Sequence, residues 1–302
     1  MRGRFAPSPT GQLHLGNLRT ALVSWLHARS LAGEWLVRME DLDRVTSSTS
    51  IAADQLRSLA ALGMLPDGAL VNQSERFDRY RTAIATLQAH GRVYECFCTR
   101  REIREAAQAP HGDLPDGAYP GTCRTIGARQ RSALVAAGRA PALRLAADGE
   151  RFVVHGLIAG DYEGGVDDVV LQRNDGVPAY NLAVVVDDAA QGITHVVRGD
   201  DLLSSTPRQR LLQQLLGLPE PAYAHVPLVL APDGTRLAKR HGAVTLADLA
   251  ARGIGPQQVL ARLGWSLGLC ARDDTVTAIE LADGFRLDSL PRTPWSLTAT
   301  EL

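Results

Sequence analysis

The stretch GRFAPSPTGQLHLGNLRTALVSWLHARSLAGEWLVRMED, residues 3–41, constrains this chain more than any other. GRFAPS is a short apolar strand candidate. After a loop with two prolines and two glycines, LRTALVSWLHARSLA carries Leu18, Ala21, Leu22, Trp25 and Leu26 at helical spacing. Asn17 stands where an N-cap belongs. EWLVRMED then reads as a second strand ending in acids, and STSIAADQLRSLAALG as a second helix. Strand, helix, strand, helix predicts an α/β fold on a parallel sheet, with ligands at the carboxyl ends of the strands.

The alternation covers residues 1–90 and is interrupted over 91–171 by a cysteine cluster and by Gly-, Ala- and Arg-rich loops. It returns over 172–235 with THVVRGDD, the helix TPRQRLLQQLLG, whose Pro207 suits a first helical turn, and the strand YAHVPLVLA. Residues 236–302 read as helical, in TLADLAARG and PQQVLARLGWSLG, thinning to a tail near LPRTPWSLTATEL. The expected organisation is therefore a sheet domain in two halves, an insertion between them and a helical C-terminal region. A chain of 302 residues that is 45% hydrophobic can bury the core this requires. No stretch approaches the apolar length of a membrane span, and MRGRFAPSPTG lacks the apolar core of a signal peptide, so a cytoplasmic protein without a membrane partner is expected. The net charge of −1 argues against a general polyanion binder but permits a local basic face.

Three features carry chemistry. Gly11 and Gly16 let a phosphate or base approach the backbone, and His14 lies just before a helix N-terminus, where N–H groups and the macrodipole favour an anion. Lys239, in PDGTRLAKRHGA, is the only lysine among 32 Lys and Arg residues. An ammonium on a flexible stem can follow a moving phosphate, whereas a guanidinium is a fork suited to fixed pairing. Cys96, Cys98 and Cys123 are three soft ligands that suit tetrahedral zinc, with His111 or Tyr119 open as the fourth and reduced thiols as the plain alternative. Cys270 stands apart and is expected to be buried.

The H-x-G-N loop, VRMEDLD and the late RLAKR loop resemble the class I aminoacyl-tRNA synthetases. More narrowly, RFAPSPTGQLHLGNLRTAL, RMEDLDR and THVVRGDDLLSSTPRQ, in that order, resemble the glutamyl-tRNA synthetase group from residue 4 to about 265. The resemblance implies a Rossmann-type catalytic core, a zinc-bearing acceptor-type insertion and a helical C-terminal region that contacts an RNA stem. It implies that L-glutamate is condensed with ATP, accompanied by Mg2+, to an adenylate whose acyl group passes to tRNA. His14 and Lys239 would stabilise the polyphosphate, with Gly16 and Asn17 completing the ATP site. Arg4, Ser8, Glu40, Tyr180 and Arg198 would bind L-glutamate, Glu40 taking the amino group. Asp41 and Asp43 are read as solvated or structural.

C-x-C followed by Y-x-x-x-C looks like the zinc site of the group's short paralogue, which assigns Cys96, Cys98, Tyr119 and Cys123 to one structural zinc. That paralogue glutamylates queuosine in the anticodon loop of tRNA(Asp), which is the expected RNA partner, with Arg100, Arg101 and Arg104 as candidate contacts and a monomer as the expected state. The region after Lys239 is short for an anticodon-reading part, which points the same way. Two departures stand out: Asn17 replaces the family's second signature His, and Arg236 and Ala238 replace the usual first Lys and the Ser of the late loop. The alternatives are a minimal glutamyl-tRNA synthetase charging a tRNA 3′ end and a catalytically inactive tRNA-binding paralogue.

Overall fold

The computed structural model describes residues 1–106, 118–235, 237 and 244–298. The first half holds β1 (Arg2–Phe5), α1 (Leu15–Ser30), β2 (Glu34–Met39), α2 (Thr49–Ala61), β3 (Val71–Asn72) and α3 (Phe77–Ala89). The next stretch holds β4 (Val93–Cys96), α4 (Arg100–Ala106), α5 (Ala128–Ala136), β5 (Ala142–Leu145), β6 (Arg151–Gly156), β7 (Gly160–Gly165) and β8 (Val170–Gln172). Then follow α6 (Tyr180–Ala190), β9 (His195–Gly199), α7 (Thr206–Leu216), β10 (Ala222–Val226) and β11 (Val229–Leu230). The last elements are α8 (Leu246–Ala251), α9 (Pro256–Ser266), α10 (Ala278–Ala282) and β12 (Trp295–Ser296).

The predicted strand–helix–strand unit forms, with Arg2–Phe5 of β1 parallel to Glu34–Val37 of β2. The main sheet runs β3-β2-β1-β9-β10-β6-β7, parallel except for β7, which returns antiparallel to β6. Successive strands move outward from β1 in one direction to β3 and in the other from β9 to β10. The carboxyl edge between β1 and β9 is thus the topological switch point, where an open α/β sheet leaves a crevice for ligands.

α1 explains the dominance of the opening stretch. Leu18, Ala21, Leu22 and Leu26 are fully buried and Trp25 nearly so, and Arg19, Val23 and Ser24 are buried as well, so the helix is covered almost all round. Each large apolar side chain buried in this way contributes about 1.5–3 kcal/mol. Arg19, the polar exception, spends its fork on Pro227 O at 2.8 Å, Ser266 Oγ at 3.0 Å and Ser266 O at 3.3 Å, tying α1 to α9 and to the end of β10.

Three expectations change. The segment 91–171 is divided between two sheets: β4, β5 and β8 form a small antiparallel sheet, whereas β6 and β7 extend the main one. Its apolar residues Leu145, Val166, Val169 and Leu171 share a core with Tyr80 and Ile84 of α3 and with α6 and α7. YAHVPLVLA is two strands in different sheets rather than one, because Pro227 has no N–H to continue the ladder. The C-terminal tail contributes β12, which lies parallel to β11. Among the described residues no helix is long and apolar enough to cross a membrane.

Candidate active site

The loop after β1 is held from several sides. Gln55, buried on α2, donates through Nε2 to Ser8 O at 3.0 Å and Gly11 O at 2.7 Å, Glu40 N donates to Pro7 O, and Ser48 N to Pro9 O. The Ser8 residue itself is exposed. At the end of the loop the N-cap of α1 is His14 and not Asn17. The His14 Nδ1 accepts from Gly16 N at 3.1 Å and Asn17 N at 3.3 Å, while Asn17, at the third helical position, returns its Oδ1 to His14 N at 3.2 Å. This reciprocal capping box gives Asn17 a structural duty in this chain.

The free amides expected at this helix end are therefore already used, since Leu15 N donates to Val244 O and Leu18 N to His14 O. An anion here would meet the positive end of the helix dipole and His14 Nε2, the nitrogen that carries the proton once Nδ1 accepts. Gly16 is a steric requirement, because a Cβ would lie 2.9 Å from His14 Cε1 and 3.0 Å from Nδ1. Lys239, Arg236, Ala238 and the rest of 238–243 lie outside the described residues. Of the residues that flank them, Thr245 forms an isolated bridge with His14, and Leu237 N donates to Val229 O.

Beside this loop, on the carboxyl side of the sheet, lies a buried set of charges. Arg4 on β1 pairs through Nε and Nη2 with the two oxygens of Asp188, each at 3.3 Å, and donates Nη1 to Val197 O. Arg38 on β2 donates to Asp188 Oδ1 at 2.7 Å and approaches Glu40 Oε1 at 3.5 Å. Burial raises the Glu40 carboxyl and outweighs the pull of Arg38 and Arg4. Arg198 on β9 donates to Gln209 Oε1 and Thr206 Oγ1, each at 2.8 Å, and to His225 Nε2 at 3.3 Å. Burial, then Arg198 and Arg4, push His225 down to about 3, so the ring stays neutral and accepts. Tyr180 opens α6 among these groups. Burial raises its phenol, whose field is set by Glu40, Arg198, Arg4 and Asp188.

Arg4, Glu40, Tyr180 and Arg198 are thus brought together; Arg4 is buried and the Glu40 side chain is only 10% exposed, so neither is a surface ion pair. Asp41 is structural, accepting from Ser74 N and Oγ. Asp188 and Arg38 were not singled out from sequence. A signal existed: two adjacent aspartates inside the otherwise apolar LAVVVDDAA, and an arginine inside the otherwise apolar WLVRM, each demand a buried partner.

The cysteines form a second centre. The Sγ atoms of Cys96, Cys98 and Cys123 all lie within 4.8 Å of one another. Tyr119 Oη is 3.4 Å from Cys96 Sγ and 3.5 Å from Cys98 Sγ, and accepts from Cys123 N at 2.8 Å. Zinc bonds to sulfur of about 2.3 Å place tetrahedral ligands roughly 3.8 Å apart, so these four residues fit such an ion with small shifts. Burial pushes the Cys98 thiol up to about 12 and raises Tyr119, so a cation binding here displaces protons and binds more tightly as pH rises. His111 lies outside the described residues, and Cys270 is half-buried rather than buried.

The cluster is joined to the charged pocket. Tyr119 N donates to Asp167 Oδ2 at 3.1 Å, and Asp167 Oδ1 takes Arg208 Nε at 2.5 Å. Arg208 sits on α7, whose first turn also supplies Thr206 and Gln209 to Arg198. Arg100, Arg101 and Arg104 are exposed on α4, just beyond Cys98.

The whole chain, residues 1–302, matches the family of tRNA synthetases class I (E and Q), catalytic domain. It belongs to that family. This class I tRNA synthetase is an ATP-dependent ligase. It is 58% identical to the glutamyl-Q tRNA(Asp) synthetase of Nocardia farcinica, over 98% of this chain and 93% of that protein. With the protein of the same name in Symbiobacterium thermophilum the identity is 48%, over 98% and 96%. A glutamate–tRNA ligase of Oleidesulfovibrio alaskensis is 44% identical over 96% of this chain and 62% of its own length. Among solved structures, a glutamate tRNA ligase of Elizabethkingia meningosepticum superposes with a TM-score of 0.83 at 26% identity, over 100% of this class I tRNA synthetase and 68% of that chain.

Proposed function

We propose that this chain activates L-glutamate with ATP and Mg2+ and transfers the glutamyl group to queuosine in the anticodon loop of tRNA(Asp), working as a monomer in the cytoplasm. The observation that carries the reading is the meeting of Arg4, Glu40, Tyr180 and Arg198 at the switch point of the sheet. Cations face the carboxylates of the amino acid and Glu40 faces its ammonium, a charge pattern matched to an α-amino dicarboxylate. In the first step a glutamate carboxylate oxygen attacks the α-phosphorus and pyrophosphate leaves. His14 Nε2–H, the helix dipole and Lys239 stabilise the charge that grows on the phosphates. In the second step a hydroxyl oxygen of the modified base attacks the acyl carbon, AMP leaves and the hydroxyl proton is released. The choice of acceptor is supported by the relatives: identity is higher to proteins named glutamyl-Q tRNA(Asp) synthetase than to those named glutamate–tRNA ligase.

The deciding experiment maps radiolabelled glutamate on tRNA after nuclease digestion. Label in the anticodon-loop fragment supports the reading, and label at the 3′ end gives the minimal glutamyl-tRNA synthetase.

Glutamate binding is expected to depend on pH through Glu40. A carboxyl raised by burial takes up a proton at higher pH than an exposed one, and protonation removes the acceptor for the ammonium. KM for glutamate should therefore rise as pH falls, beginning above the ordinary carboxylate range. Stability takes the opposite sign: ionisation is harder in the folded state, so this group's contribution declines as pH climbs from the unfolded carboxyl value to the folded one. Glutamate-dependent pyrophosphate exchange across that range measures the first effect.

Cys96, Cys98, Tyr119 and Cys123 are assigned to one structural zinc, held by four protein ligands with no open position. The ion would staple the small antiparallel sheet to the segment that carries Tyr119. Elemental analysis of freshly purified protein should find about one zinc per chain. Cys98→Ser should lower that content and the melting temperature together, because binding free energy at such a site is folding free energy.

A further inference from the structure

We propose that Asp188 is a positioning residue for the amino-acid pocket, one that keeps Arg4 and Arg38 from closing on Glu40. This rests on Arg4 and Glu40 meeting the two ends of the amino acid. Asp188 lies about two turns along the helix that Tyr180 opens. Its Oδ1 takes Arg4 Nε and Arg38 Nη1, and its Oδ2 takes Arg4 Nη2. A guanidinium offers a carboxylate either its side edge, Nε with one Nη, or its end, the two Nη groups. Asp188 occupies the side edge of Arg4, and Val197 O takes one further N–H of Nη1. With the side edge taken, the end of the fork between Nη1 and Nη2 is the edge that a second carboxylate would meet.

The same contacts set the state of Glu40. Around it stand two guanidinium groups, Arg4 and Arg38, and the one carboxylate that competes for both is Asp188. With Asp188 in place Glu40 stays at 3.5 Å from Arg38, loosely paired. Without that negative charge, the two buried cations would lean on Glu40, with only Asp187, 3.9 Å from Arg38, as a further carboxylate, and would draw Glu40 into close pairing and turn Arg4 with it. The pocket would lose its ammonium acceptor and the end of the Arg4 fork together.

Asp187 provides the control. It is equally buried and adjacent, but it takes Arg76 at 2.6 Å, Tyr80 Oη at 2.6 Å and Gln73 Nε2 at 3.0 Å, and stands 3.9 Å from Arg38. It locks α6 to α3 and has no contact with Arg4 among the described residues.

The test is glutamate-dependent pyrophosphate exchange on the full chain, with melting temperature measured in parallel. Asp188→Asn, which keeps the shape and removes the charge, should raise KM for glutamate by about tenfold or more while KM for ATP changes by less than about twofold. Asp187→Asn should lower the melting temperature and leave KM for glutamate within about twofold. If Asp188→Asn does not fold, the double variant Asp188→Asn with Arg38→Met removes one cation along with the anion and leaves no unmatched buried charge. Arg4 then still faces Glu40 unrestrained, and the rise in glutamate KM should persist. Glu40→Gln separates the two ideas: unchanged glutamate KM in Glu40→Gln overturns the pocket assignment itself. A raised KM in Glu40→Gln beside a wild-type KM in the Asp188 variants overturns the positioning role.

Discussion

Queuosine-containing tRNA(Asp) is expected to take up glutamate, and an unmodified tRNA(Asp) transcript is expected to stay at background. The reason is chemical rather than a matter of fit. Transfer from an adenylate needs a nucleophilic oxygen at the acyl carbon, and in the proposed reaction the hydroxyl groups of the modified base supply it. An unmodified base can occupy the same place and still offer no such oxygen, so the defect should appear as lost turnover with little change in RNA affinity. Affinity itself has to come from a local set of arginines, because the chain carries a net charge of −1, and it should fall with rising salt. Acid-precipitable radiolabelled glutamate on the two RNAs, with tRNA(Glu) as a third, is the measurement. Equal acceptance by the unmodified transcript or by tRNA(Glu) moves the assignment to a minimal glutamyl-tRNA synthetase. Adenylate should form in the absence of any tRNA, which pyrophosphate exchange reads directly and which sets this chain apart from an inactive RNA-binding paralogue.

His14→Ala should slow adenylate formation by about 10²–10³-fold, the usual cost of one donor lost from a developing negative charge in a closed site. The same change removes the N-cap of α1, for a further stability loss of about 0.5–2 kcal/mol. These effects can be told apart with Gly16→Ala. Its Cβ would stand 2.9 Å from His14 Cε1 and 3.0 Å from Nδ1, so the ring must move off the Gly16 and Asn17 amides. The imidazole is present but misplaced, and turnover should fall towards that of His14→Ala. Asn17→Ala removes only the returning half of the capping box and should weaken stability with a smaller effect on rate. Single-turnover adenylate formation and thermal melts on the three variants check this ordering. A Gly16→Ala enzyme with wild-type turnover would remove His14 from the chemistry.

The opening unit was legible in the sequence because its information is local. The spacing of Leu18, Ala21, Leu22, Trp25 and Leu26 names a buried helical face, and those residues are buried. The flanking apolar runs became β1 and β2 in parallel register. The cysteine cluster was legible for a similar reason, since C-x-C and Y-x-x-x-C each bring two donors close within a few residues and the structure had only to bring the two segments together. The cap of α1 was misplaced by one turn, because Asn and His can both cap and only the backbone decides which is extended. The path of the chain after β5 was not legible at all: whether β6 and β7 join the small sheet or the large one depends on which strand edge lies open beside them.

The charged pocket shows the division most clearly. The sequence places Arg38, Asp187 and Asp188 in apolar runs, a signal that each needs a partner although none was singled out from it. It could not say which. Arg4 and Asp188 are 184 residues apart, and Arg38 and Asp188 are 150 apart. They meet only because β9 inserts next to β1 and carries α6 with it. Local periodicity states that a residue will be buried, and burial makes an unpaired charge costly. The identity of the compensating charge is settled by sheet order, a long-range property that no window of sequence contains.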